Sequence, residues 1–317
     1  MLFPMTILKP PRLRRGDVIG LISPASTTLP TEKIEKGARY LEGLGYRVKL
    51  GEHVAAQHGY FAGTDAQRVS DLNAMLNDSR VKAIFAIRGG YGSPRLLPFV
   101  DYRAARRQPK IVVGFSDITA LQLALFRRAG LVTFSGPLPG VEFWRKPDPY
   151  TEENFWRLLT STRRVGSLPG PGNAPLHTRI RGRSRGRLLG GNLSLVVSSL
   201  GTRFSPDYRG ALLVLEDVRE GFRHLDRMFT QLRNAGILDQ ISGLVLGLFT
   251  HCKPGNSAKP HLKLAEILDE VLSWMKAPAV EGLQYGHVSR KLTLPFGLQA
   301  RLDANRGTLS VLESSVE

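Results

Sequence analysis

A serine becomes a useful nucleophile when a neighbouring base takes its proton and a third group holds that base in orientation. Residues 110–125, KIVVGFSDITALQLAL, offer a serine in a suitable setting. Ile111, Val112 and Val113 read as a buried strand, and residues 118–128 as a helix, with Gly114-Phe115-Ser116-Asp117 as the corner between them. A strand that turns sharply into a helix lifts a corner side chain above the sheet end, near the positive end of the helix dipole. Ser116 holds that position, and Asp117 is placed to accept hydrogen bonds from the N–H groups that open the helix. The hydrolase pattern G-x-S-x-G is half present, because Ile118 stands where the second glycine would be. A plain Ser-Asp helix cap would leave the same local pattern.

A second chemical feature is Arg88-Gly89-Gly90-Tyr91-Gly92, three glycines in four residues after the apolar run 81–87. Backbone without side chains can turn its N–H groups toward an anion or an oxyanion. The loop matches neither G-x-x-x-x-G-K-[ST] nor G-x-G-x-x-G, so nucleotide binding is not its best reading. A tight turn that needs positive φ would explain one or two of the glycines, but all three less easily.

Seven histidines are available as bases. His53, His58, His177, His224, His251 and His261 lack a distinctive setting, apart from His251 just after a strand. His287 follows Gly286 in a loop between strands, and loops of this kind commonly carry catalytic groups. Glu216 ends the apolar strand 211–215, where a carboxylate is costly unless partnered. Asp217 competes for the same role, and either could simply mark a surface strand end.

The order of elements says how such groups would be positioned. A strand over 17–23, an amphipathic helix over 31–44 and a strand over 46–50 form a β-α-β opening, which predicts a parallel sheet with right-handed crossovers. A helix over 65–76, the strand 81–87, the start of a helix over 93–99, the elbow, a strand over 131–134 and a helix over 151–159 continue the first half. Residues 164–186 are rich in Gly and Pro and read as an interdomain connection with one short strand near 176–180. The second half carries Gly190-Gly191-Asn192 before an apolar helix over 193–200. Helices over 222–235 and 261–275, a strand over 244–249 and final strands over 298–302 and 308–312 complete it. The expected architecture is α/β, with domains over 1–166 and 187–317 and a linker over 167–186.

Composition limits the function classes. At 317 residues, with 42% hydrophobic and 22% charged side chains, the chain reads as an ordinary two-domain globular protein. The single cysteine, Cys252, excludes an internal disulfide framework and a thiolate-rich metal site. The opening residues lack the layout of a signal peptide, and no run approaches the ~20 apolar residues that span a bilayer. A cytoplasmic protein is the default expectation. The net charge of +17 raises nucleic acid or an acidic polymer as a partner. No interleaved aromatics, zinc spacing or helix-turn-helix accompanies the arginine cluster at 179–187, so a solvated basic surface is preferred over dedicated nucleic-acid binding.

These stretches, in this order, resemble the LD-carboxypeptidase family, serine peptidases that include the microcin-immunity hydrolases. The resemblance runs through LISPAS (21–26), AIRGGYGSPRLLPFVDY (86–102), KIVVGFSDITAL (110–121), GRLLGGNLSLVVSSLGT (186–202), LLVLEDV (212–218) and GHVSRKLTLPFGLQARLD (286–303). It implies an N-terminal parallel-sheet domain of flavodoxin-like or glutamine-amidotransferase-like type and a smaller C-terminal α/β domain. It implies Ser116 as nucleophile, His287 as base, Glu216 orienting the base, and an oxyanion hole of the Gly90 and Asp117 backbone N–H groups. The implied reaction releases terminal D-alanine from a murein tetrapeptide in cell-wall recycling. No metal or cofactor is implied, and a homodimer is. A histidine base makes the rate rise through roughly pH 6 to 7. The substrate's free carboxylate makes Arg88 or Arg95 a candidate contact by proximity, with Tyr91 lining the pocket. The microcin-immunity type, acting on an aminoacyl-nucleotide toxin, is the alternative enzyme. A non-enzymatic module that holds acidic peptides is the alternative outside catalysis.

Overall fold

The β-branched apolar runs form the centres of two sheets. The structure, a computed structural model, describes residues 6–256 and 258–317. Residues 1–5, which open the stretch read for a leader, lie outside the described residues. The first half comprises β1 (Val18–Ile22), α1 (Glu32–Gly43), β2 (Arg47–Leu50), α2 (Asp65–Asn77), β3 (Val81–Ala86), α3 (Tyr102–Arg107), β4 (Ile111–Gly114), α4 (Thr119–Ala129), β5 (Thr133–Ser135) and α5 (Pro149–Thr160). The second comprises β6 (Gly166–Ser167), β7 (His177–Ile180), β8 (Arg183–Asn192), α6 (Leu193–Ser199), β9 (Leu212–Val218), α7 (Phe222–Asn234), α8 (Ile237–Gln240), β10 (Gly243–Thr250), α9 (Leu264–Ser273), β11 (Ala279–Gly286), β12 (Leu294–Phe296), β13 (Gln299–Asp303) and β14 (Thr308–Val311).

The fold is α/β, as expected. The first sheet has the order β12-β5-β4-β3-β1-β2, and the second β6-β14-β13-β8-β9-β10-β11-β7. Strands β5, β4, β3, β1 and β2 run parallel, and so do β8 to β11. Alternating strand and helix along the chain requires this, because a parallel pair must be joined by a crossover. β12 pairs antiparallel with β5 although it lies near the C-terminus, so the last quarter of the chain reaches back into the first sheet. The residues read as a linker supply β6, β7 and the start of β8 to the second sheet. Among the described residues, no helix is long and apolar enough to cross a membrane.

Several expected elements differ in their bounds. Residues 93–99 form a 3-10 turn, with Pro98 inside it, and the α-helix that follows is α3. Proline removes a backbone donor and clashes with the preceding turn, which prevents an α-helix over 93–99. The helix after the elbow begins at Thr119, and α9 spans ten residues rather than the whole of 261–275. Gly190, Gly191 and Asn192 belong to a ten-residue strand, β8.

The two sheets meet at α4. Nearly every residue of α4 is buried, on all sides of the helix. A helix apolar all round must be covered all round. One flank lies on β4, β5 and α3, and the other on α6 and β8 of the second sheet. The approach is close enough to require glycine. A Cβ on Gly191 would stand 2.7 Å from the Thr119 side chain, and Gly191 has φ +126°. A Cβ on Gly190, at φ +132°, would overlap the Val214 carbonyl of the neighbouring strand.

Gly190→Ala combines a backbone clash with a disfavoured φ, so it is expected to cost on the order of 3 kcal/mol or more. Gly201→Ala, at φ +77° with open space around the added carbon, should cost about 1–2 kcal/mol. Urea unfolding of both variants checks this. Equal losses would mean that the β8–β9 approach does not require glycine.

Candidate active site

The corner at Ser116 is a turn from strand to helix. β4 ends at Gly114, Phe115 is extended, and Ser116 adopts φ +61° before a short 3-10 turn leads into α4. A serine with positive φ is uncommon and mildly strained, and such residues concentrate at functional sites. Ile118, in place of a second glycine, packs on Gly114, where any Cβ would overlap it. Across the corner, a Cβ on Gly89 would lie 2.9 Å from the Phe115 carbonyl oxygen and 3.0 Å from Ser116 Cβ. The glycine loop therefore rests directly on the elbow.

Asp117 does not cap α4. Its carboxylate instead accepts hydrogen bonds from the backbone N–H groups of Gly92 (3.1 Å) and Ser93 (2.8 Å). The Ser93 hydroxyl returns a hydrogen bond to the Asp117 carbonyl at 2.6 Å. The reason is the tightness of the turn. With Ser116 to Ile118 in a 3-10 conformation, the Asp117 side chain faces β3 and its loop rather than the first turn of α4. Burial raises the Asp117 carboxyl above its ordinary value, against the opposing pull of the donors at Ser93 and Gly92. Gly90, at φ +116°, sits against the Ser26 side chain, whose hydroxyl accepts from the Tyr91 N–H at 3.0 Å.

The second sheet supplies the candidate base and the candidate acid. His287 follows β11, and its Nε2 lies 2.9 Å from Ser116 Oγ. Its Nδ1 lies 2.8 Å from Glu216 Oε2. Glu216, the fifth residue of β9, is fully buried. The choice between the two acids follows from their partners. Asp217 points the other way and accepts from the Asn192 side-chain amide (2.8 Å), the Ser194 N–H (2.9 Å), the Ser194 hydroxyl (2.7 Å) and the Val218 N–H (2.8 Å). It fastens the turn between β8 and α6, and burial raises its carboxyl too.

Asn192 escaped the sequence reading. Its amide donates to both Glu216 Oε1 (3.3 Å) and Asp217 Oδ1 (2.8 Å), and its Oδ1 accepts from the Leu195 N–H that opens α6. Its backbone N–H donates to Thr119 Oγ1 in the first turn of α4. The Gly-Gly-Asn run was the available signal, because two glycines before an N-cap residue imply a close backbone approach.

Phe115 joins the two halves beneath the site. Its ring lies edge-on to Tyr285 (centroids 5.6 Å, 87°) and 4.8 Å from the His287 ring. Lys291 Nζ stands 4.3 Å over the Phe115 ring and pairs with Glu142 at 2.7 Å. Tyr285 is anchored by Ser135, with 2.7 Å between the hydroxyls. Packing thus restricts the rotation of His287.

Above these groups opens a cleft of about 1110 Å³. Ser116, His287, Gly89, Gly90 and Arg88 line it, as do Arg219 and His251 from the ends of β9 and β10. Arg88 is half-buried and donates to the Thr27 carbonyl at 3.2 Å. Arg95 lies elsewhere, pairing with Asp65 at 2.8 Å. Tyr91 is exposed, stacks on Phe61 at 5.9 Å and is not part of the cleft lining. His53, His177 and His224 pair with Asp71, Glu281 and Glu220 away from the cleft. Among the described residues, no group of three or more His, Cys, Asp or Glu could hold a metal ion.

Comparisons with known proteins place the whole chain in one family. Residues 19–136 match the model of the LD-carboxypeptidase N-terminal domain, and residues 185–302 that of the LD-carboxypeptidase C-terminal domain. A probable murein peptide carboxypeptidase of Bacillus subtilis is 37% identical over 97% of this chain and 95% of its own. The solved structure of the microcin C7 self-immunity protein MccF superposes with a TM-score of 0.89 at 28% identity, covering 98% of this chain and 100% of that one. A muramoyltetrapeptide carboxypeptidase from Oxalobacter formigenes superposes at 0.82 with 30% identity, covering 93% and 97%.

Asp117→Asn places an amide donor against two backbone donors and should loosen the glycine loop. Turnover should fall on the order of 10–100-fold with little change in KM. The folded protein holds the Asp117 proton to higher pH than the unfolded chain. That contribution to stability is present below the ordinary carboxylate range and is lost as pH rises through the folded value. Denaturant midpoints measured from pH 4 upward should therefore show a shallower loss in Asp117→Asn, and identical slopes would contradict the assignment.

Proposed function

The chain belongs to the LD-carboxypeptidase family, and we propose that it is a serine carboxypeptidase that releases terminal D-alanine from a murein tetrapeptide during cell-wall recycling. The observation that carries this reading is the hydrogen-bonded line Ser116–His287–Glu216, with 2.9 and 2.8 Å between successive partners. In the proposed reaction, His287 Nε2 takes the proton as Ser116 Oγ attacks the carbonyl of the penultimate, L-configured centre. Glu216 holds the other ring nitrogen protonated and stabilises the imidazolium. The oxyanion is received by the backbone N–H groups of Gly90 and Asp117, one from each side of the elbow. His287 then donates its proton to the departing amine of D-alanine. A water, deprotonated by the same histidine, hydrolyses the ester on Ser116.

Electrostatics support a substrate rich in carboxylates. Arg88, Arg145, Lys146 and Arg219 line the cleft, while its two acidic residues are engaged, Glu142 by Lys291 and Asp148 by Arg290. We assign Arg88 to a substrate carboxylate because it lies beside the glycine loop. A freed murein peptide carries several carboxylates, and its processing suits a cytoplasmic enzyme. A second reading is favoured by the likeness to MccF and by the size of the cleft. It is hydrolysis of an aminoacyl-nucleotide of the microcin type at the same groups.

Mass spectrometry of L-Ala-γ-D-Glu-meso-diaminopimelate-D-Ala should show D-alanine release by the wild type. Ser116→Ala and His287→Ala should each lower kcat by about 10⁴ or more, and Glu216→Gln by roughly 10³–10⁴. Release by Ser116→Ala at the wild-type rate would remove Ser116 as nucleophile. A higher kcat/KM on an aminoacyl-nucleotide than on the tetrapeptide would favour the second reading.

A further inference from the structure

The outer face of the second sheet carries a group of charges unrelated to the cleft. β8 and β13 pair antiparallel so that Arg183 faces Asp303, Arg185 faces Arg301 and Arg187 faces Gln299. Residues directly opposite in such a pair project from the same face. The alternate residues Ala300 and Leu302 are buried, while Arg183, Arg185 and Arg301 are exposed, so this face is outward.

Among the described residues, two of these arginines have no carboxylate partner. Arg183 donates to Asp303 Oδ2 at 2.9 Å, and Asp303 Oδ1 accepts from the Arg306 N–H at 3.2 Å. The only acidic side chain in the group is thereby engaged. Arg187 donates to the Gly297 carbonyl at 2.9 Å. Among the described residues, no ion pair joins Arg185, Arg301 or Arg306 to a carboxylate. Like charges placed directly opposite on a sheet repel. A local arrangement that costs stability without an internal gain points to an external partner.

The shape narrows the partner. Arg183, Ser184, Arg185, Arg301, Asp303 and Arg306 line a groove of about 570 Å³, which shares no residue with the catalytic cleft. That volume is in the range of small-ligand sites. The groove contains no aromatic side chain on which a base could stack. None of the exposed large hydrophobic side chains lies on β8, β13 or β14, so nothing there would enter a bilayer. Guanidinium forks match phosphate oxygens in pairs.

We propose that this groove is a binding site for a compact, soluble oligophosphate, held by Arg185, Arg301 and Arg306 with Arg183 at its edge. It lies on the same strand as Asn192, seven residues before it, roughly 23 Å away along the strand. A ligand there would leave the cleft open to substrate.

The test uses the full chain and sodium tripolyphosphate. Calorimetric titration at low salt should give one site, weakened at least about tenfold in R185S/R301S and unchanged within about twofold in R209S/R223S. The second variant removes the same charge from exposed positions elsewhere. D-alanine release by R185S/R301S should stay within about twofold of wild type, which shows that it is folded. Without ligand, R185S should melt at or above the wild-type temperature, because a repulsion is relieved. Equal weakening in both double variants would reduce the effect to diffuse charge and overturn the proposal. So would a lowered melting temperature in R185S, or binding of duplex DNA or phosphatidylglycerol vesicles that tripolyphosphate fails to displace.

Discussion

One hydrogen bond joins the two sheets at the candidate site, and the proposed reaction depends on it. Ser116 stands at the end of β4 in the first sheet, and His287 at the end of β11 in the second. Loosening the contact between the sheets by about 1 Å would separate the proposed nucleophile from its proposed base, and proton transfer needs them within hydrogen-bond reach. The architecture guards that distance. α4 is buried on both flanks, Gly191 lets β8 approach Thr119, and β12 returns from the second half of the chain to pair with β5. Phe115, Tyr285 and Ser135 form a continuous packed link beneath the site.

Three buried acids lie close to the site, and their partners divide the work among them. Asp117 spends its carboxylate on two backbone donors of the glycine loop. Asp217 spends its own on the turn into α6. Only Glu216 directs an oxygen to His287, with its other oxygen toward Asn192. Each burial is costly in isolation and tolerable once the carboxylate accepts enough hydrogen bonds. The two aspartates thus set the loop and the strand end that the glutamate, histidine and serine require. Neither aspartate carboxylate is placed to touch His287.

The cleft gathers the carboxyl ends of both parallel sheets, where open α/β folds commonly bind ligands. β3 ends at Arg88 and the glycines, β4 at Ser116, β9 at Arg219, β10 at His251 and β11 at His287. Ser116, Arg219 and His251 all hold positive φ, at +61°, +59° and +56°. Such backbone strain persists only where the surroundings impose it. Its concentration around one cleft sets these strand ends apart from ordinary turns.

Much of this was legible in the sequence because it is local. A β-branched run, a corner and an apolar helix identify the elbow, and alternation of strand and helix identifies a parallel α/β fold. The resemblance to a family added the three residues of the proposed relay, which are separated by up to 171 positions along the chain. Other features were illegible for a physical reason. Asp117 looks like a helix cap from its neighbours, and the choice between Glu216 and Asp217 cannot be made from two adjacent letters. Arg95 lies only three residues past the glycines, yet it pairs with Asp65 instead. Each of these outcomes depends on which donor or acceptor another segment brings within 3 Å. Sequence periodicity determines which face of an element is buried. Only the packing of distant elements determines what meets that face.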